Sequence, residues 1–134
     1  MAARVEPTHA LRRLWLSVGW LLVVLVIFLS LTPEPSRIIR AISSDKVGHL
    51  VAYGVLMLWF LQLYPVSRRP VIATLLIAMG FLTEILQGFT TARVTEYLDV
   101  AANIAGVVVG WMLGQTPLSK VLAVLDRKIM SLYG

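Results

Sequence analysis

Residues 14–31, LWLSVGWLLVVLVIFLSL, run for 18 positions without a charge. As a helix such a run extends about 27 Å at about 1.5 Å per residue, close to the ~30 Å hydrocarbon core of a bilayer. No other feature limits the fold so strongly, because a helix apolar on every side needs lipid or a large protein core around it. Thr32-Pro33-Glu34-Pro35 ends the run, since proline lacks the backbone donor and clashes with the preceding turn. The apolar stretch exceeds that of a signal peptide, and no small-x-small cleavage site follows. An uncleaved first span is the expectation.

Three more apolar segments follow. The second covers residues 47–64 and stops at Pro65, with Ser43 or Ser44 able to cap its start. The third covers 71–87, with Pro70 in its first turn. The fourth covers 97–113, with Thr95 as its cap. Short connections make these helices antiparallel neighbours. In the tail, apolar residues at 118, 121, 122, 125, 129 and 132 share one helix face, and Lys120, Arg127 and Lys128 lie off it. Residues 118–132 therefore read as a short amphipathic helix on the inner leaflet; its charges argue against a fifth span. The fold class expected is all-α: a polytopic membrane bundle of four transmembrane helices plus the amphipathic tail.

Composition agrees. Hydrophobic residues make up 58% of the 134 positions and charged residues 14%, with a mean hydropathy of +0.82. Nothing is left over for a separate soluble domain, so residues 1–134 are read as one membrane domain. The absence of cysteine excludes disulfides and thiol chemistry. The net charge of +5 does not imply nucleic acid, because the cations sit at the ends of apolar runs with no basic, aromatic-laced stripe.

Lysine and arginine set the direction of insertion. Arg4, Arg12, Arg13, Arg68, Arg69, Lys120, Arg127 and Lys128 fall on one side, and Arg37, Arg40, Lys46 and Arg93 on the other. By the positive-inside rule the protein is a multi-pass protein of the cell membrane with both termini cytoplasmic.

Nine polar residues then need an account: Asp45, Lys46, His49, Tyr53, Glu84, Gln87, Arg93, Asp99 and Asn103. A charge at the centre of a membrane helix costs about 2.5–3.5 kcal/mol on insertion scales. Alternating span direction places all nine on one side of the membrane, the extracytoplasmic side. Asp45, His49 and Tyr53 share a helix face at i, i+4, i+8; Glu84 and Gln87 are neighbours at i, i+3. Asp99 and Asn103 continue into Gly106, Gly110 and Gly114, a repeated small-xxx-small pattern that lets another backbone approach, within the chain or in a homo-oligomer.

Structural readings compete at each position. Asp45 suits a helix N-terminus through the dipole; Tyr53 suits a core, Gln87 a cross-helix bond, and Arg93 with Asp99 a loop ion pair. Glu84, a carboxylate inside a span, is the hardest to explain this way. His49 is of a residue type suited to proton transfer. A metal-assisted site could use His49, Glu84 and Asp99 as N/O ligands, but one histidine with scattered carboxylates is weak evidence for a metal, so neither a metal nor a cofactor is assigned.

Asp45-Lys46-x-x-His49-x-x-x-Tyr53, then Glu84-x-x-Gln87, Arg93 and Asp99-x-x-x-Asn103-x-x-Gly106-x-x-x-Gly110 together resemble the VanZ-like family of small membrane proteins, over about residues 14–114. The resemblance implies an integral membrane protein linked to the cell envelope. The family's namesake is associated with low-level resistance to the glycopeptide teicoplanin.

Two functions follow as expectations. In the first, Lys46, Tyr53, Gln87, Arg93, Asp99 and Asn103 bind an envelope component: a membrane lipid, a lipid-linked molecule or a glycopeptide-like amphiphile. In the second, His49, Glu84 and Asp45 act as catalytic acid–base groups of a membrane hydrolase or transferase. A monomeric transporter is disfavoured, because the inner halves of the spans carry almost no polar groups.

Overall fold

The computed structural model describes residues 9–32, 45–90 and 97–134. Among them are five α-helices and no strand: α1 (Arg12–Leu31), α2 (Asp45–Leu61), α3 (Arg69–Thr90), α4 (Tyr97–Leu113) and α5 (Val121–Tyr133). Two short 3-10 turns, Val66–Arg68 and Pro117–Lys120, lead into α3 and α5. Apolar segments favour helices because each backbone donor and acceptor is then satisfied without water.

By length and composition, Arg12–Leu31 and Val66–Phe89 qualify as membrane spans. Tyr97–Leu113 with Pro117–Tyr133 qualifies only as a pair bent by 79°, and α2 is a shorter apolar helix. The described helices thus give two or three candidate spans where hydropathy leads one to expect four. The shortfall is one of length. α2 and α4 have 17 residues each, about 25 Å of helix against a hydrocarbon core of about 30 Å.

Some boundaries differ from the sequence reading. α2 stops at Leu61 rather than 64, because Gln62 and Leu63 turn tightly, their N–H groups bonding to the Trp59 and Phe60 carbonyls. α3 continues to Thr90, beyond the expected 87. The tail helix begins at Val121, since Pro117 and the Thr116 hydroxyl, which accepts from the Leu118 N–H, set up a separate 3-10 turn first.

The tightest packing is between α2 and α4. A Cβ on Gly110 would lie 2.5 Å from the Gly54 carbonyl oxygen and 2.8 Å from Met57 Cβ, and one on Gly106 would strike the Leu50 carbonyl. Gly114 lies against Leu61. The glycine stripe is therefore occupied by α2 of the same chain. Around it, Tyr53, Leu56, Met57, Ala73, Leu76 and Val107 form the main core. Trp20, Leu21 and Phe28 of α1, Leu75 and Phe81 of α3, and Met112 of α4 are exposed. So broad an apolar surface suits lipid rather than water.

The end of the bundle nearest the termini holds a second buried network. Trp15, Leu63 and Leu122 pack together. Asp126 of α5 accepts from the Ala10 N–H at 3.0 Å, the Leu11 N–H at 2.9 Å and the Trp15 indole at 2.8 Å. α1 lacks a side-chain cap of its own, and a carboxylate from α5 takes the N–H groups of the two residues just ahead of it and faces its positive dipole end. His9 bonds to the Gln62 carbonyl, and the Leu122 N–H donates to the Gln62 side chain. Arg12 donates to the Leu63 carbonyl and lies 5.2 Å over the Tyr64 ring. The tail is thus docked onto the bundle through buried Leu122 and Asp126, a tighter attachment than an apolar face lying on a leaflet.

Burial pushes the Asp126 carboxyl up, but donation from Trp15, Leu11 and Ala10, with the nearby His9, outweighs it and holds the carboxyl below its ordinary value.

Candidate functional site

At the opposite end the start of α2, the end of α3 and the start of α4 meet. His49 is the centre. Its Nδ1 lies 2.9 Å from Asn103 Oδ1, and its Nε2 lies 3.9 Å from Glu84 Oε1. Because an amide oxygen only accepts, Nδ1 carries the hydrogen, and a neutral imidazole then turns its Nε2 lone pair toward Glu84. Asp99, one turn before Asn103, completes the group: one donor atom each from His49, Glu84 and Asp99 lie within 4.8 Å of one another.

The cluster is enclosed. Glu84 is 2% exposed and Asn103 1%, while His49, at 12%, keeps a narrow path outward. Gly80 makes room for Asn103, since a Cβ there would come within 2.9 Å of Asn103 Nδ2. Tyr53 is fully buried one turn deeper than His49, close to Thr83 and Glu84. Its hydroxyl and Asp99 Oδ1 have no hydrogen-bond partner among the described residues.

Gln87 is buried and donates to the Ser30 carbonyl, tying α3 to α1. Lys46 is exposed in the first turn of α2. Arg93 and the side chain of Asp45 lie outside the described residues, as do the proposed caps Ser43, Ser44 and Thr95. Sequence reasoning passed over Gly80, although its place four residues before Glu84 puts it on the same helix face.

An imidazole with a fixed tautomer beside two carboxylates can move a proton, hold a cation or bond a polar head group. With an apolar exterior around it, the molecule is a helical membrane protein with a buried polar cluster at one end. The VanZ/LLP1 family profile matches residues 3–116, and the chain belongs to that family. Comparison with curated proteins and with solved structures gives no match.

Proposed function

We propose that this chain is a four-pass protein of the cell membrane, a single VanZ-like domain whose polar cluster binds the head group of an envelope component. Both termini lie in the cytoplasm and the cluster on the extracytoplasmic side. The distribution of lysine and arginine supports this direction. α2 and α4 cross at slightly less than full thickness, with the polar residues at their starts near the head-group level and the bilayer thinning locally to match.

The observation that carries the binding reading is the largely buried junction of His49, Glu84, Asp99 and Asn103 from three helices, with His49 and Asp99 partly exposed. Groups this costly to bury are retained where they meet a ligand. The occupant is a lipid-linked glycan or another amphiphile with a polar head; teicoplanin, itself an amphiphilic glycopeptide, enters through competition for such molecules. Protein extracted with its surrounding lipid in polymer discs tests this by mass spectrometry. Enrichment of one head-group class over bulk lipid, lost in His49→Gln, supports the reading. Identical lipid profiles for the two proteins overturn it.

A second reading, a hydrolase or transferase acting on the same lipid-linked class, is favoured by one observation. Asn103 fixes the imidazole so that Nε2 faces a buried carboxylate, the arrangement a general base needs. Turnover of the enriched lipid by the purified wild-type protein, absent in Glu84→Gln, distinguishes it from binding alone.

A further inference from the structure

We infer that His49 Nε2, one Glu84 oxygen and one Asp99 oxygen hold a single divalent transition-metal ion, of the zinc or manganese kind, at the junction of α2, α3 and α4. The inference rests on reading this cluster as the functional site and gives it a specific occupant. Metal–ligand distances of ~2.0–2.2 Å put neighbouring donors roughly 3–3.5 Å apart. Here His49 Nε2 and Glu84 Oε1 are 3.9 Å apart, and one ligand atom from each of His49, Glu84 and Asp99 lies within 4.8 Å of the other two. A side-chain adjustment of roughly 1 Å closes the shell, well within rotamer freedom around a common centre.

Independent observations point the same way. The Asn103 amide oxygen holds Nδ1, leaving Nε2 as the free lone pair; metal-bound histidines are oriented by such an outer hydrogen bond. Asp99 Oδ1 is shut off from solvent and has no hydrogen-bond donor among the described residues. A buried carboxylate oxygen without a donor is stabilised by a cation or by a proton, and a shared metal ion supplies the first for both carboxylates. Two carboxylates match the charge of a divalent ion. One nitrogen and two oxygen donors suit zinc or manganese better than calcium, which takes six to eight oxygens. Three protein ligands leave a position open for water or an oxygen of the bound head group. His49 Nε2 then holds the ion rather than a proton shared with Glu84.

The test uses the full chain, purified in detergent, stripped with a chelator and titrated with Zn²⁺, Mn²⁺ and the spectroscopic probe Co²⁺. One equivalent of metal per chain is expected, together with visible absorption of the cobalt form and a rise in melting temperature on metal addition. Asp99→Asn, nearly isosteric, should bind at least tenfold more weakly while the metal-free protein melts as the wild type does. His49→Gln should lose the cobalt bands. His9→Gln, at the far end, should bind normally. A well-folded wild type that takes up no metal overturns the inference, and so does equal affinity in Asp99→Asn. If chelated protein still retains its enriched lipid, the head-group reading survives while the metal inference falls. Stoichiometric metal with no enriched lipid gives the reverse.

Discussion

Asp126 accepts a hydrogen bond from the Trp15 indole at 2.8 Å across 111 positions of sequence, and the same carboxylate receives the Ala10 and Leu11 N–H groups. Asp126→Ala leaves three donors in a buried place at once. At about 1–3 kcal/mol for each unsatisfied buried group, reduced by whatever water enters, the loss should be about 3 kcal/mol. Asp126→Asn keeps one acceptor oxygen and should lose less. Thermal unfolding in detergent should rank them wild type, Asn, Ala. Unfolding of all three at one temperature would show that the tail is not held by this contact.

The same carboxylate predicts an acid response. Its pKa is held below the ordinary value of 3.8, so the unfolded chain takes up the proton first as pH falls. Its contribution is full above the unfolded value, declines as pH drops below about 4, and is gone below the folded value. Melting temperature measured from pH 6 to pH 3 should fall more steeply for the wild type than for Asp126→Asn. Parallel curves would assign acid sensitivity to other groups.

This network was the least legible part of the chain. Asp126 reads as part of the charged run Asp126-Arg127-Lys128, and its partners come from the other terminus. The available signal was its place in the stripe Leu122, Asp126, Ile129, where an acid interrupts an apolar face. By contrast, α4 begins and ends where hydropathy puts it, at Tyr97 and Leu113. The meeting of His49, Glu84 and Asn103 was legible from i, i+4 spacing and from the antiparallel order that short connections give consecutive apolar helices. Helix length was harder to read, since turns such as Gln62-Leu63 are set by tertiary bonds rather than by apolar content.

Glycine substitutions should separate packing from function. In Gly106→Ala the new methyl meets the Leu50 backbone, which cannot yield without moving α2, so a loss of about 1–3 kcal/mol is expected. In Gly80→Ala the methyl meets the Asn103 side chain, which can rotate away and release the His49 ring. Gly106→Ala should lower melting temperature the more, and Gly80→Ala should reduce lipid retention the more. The opposite order would remove Asn103 as the group that positions His49.

Lys46 is exposed in the first turn of α2, three residues before His49, so its long side chain can reach an anionic head group bound at the cluster. Lys46→Ala should weaken lipid retention severalfold and change thermal stability by about 0.5 kcal/mol or less, as surface substitutions do. A stability loss matching the functional loss would make Lys46 a structural residue instead.

Glu84→Gln is the most discriminating substitution. Glu84 is 2% exposed, with one oxygen 3.9 Å from His49 Nε2. Glutamine keeps the volume and one carbonyl acceptor, so packing against α2 and α4 is preserved. The amide carries no charge, so it neither shares a proton with His49 nor balances a bound cation. If Glu84 served only to fill space and accept a hydrogen bond, the variant would behave as wild type in every assay. If the cluster is a working site, the variant should express, insert and melt near the wild-type temperature, yet lose at least tenfold in metal affinity and in lipid retention or turnover. Normal function in well-expressed Glu84→Gln would remove both the proton-transfer and the cation roles from this carboxyl, leaving neutral head-group binding as the reading that stands.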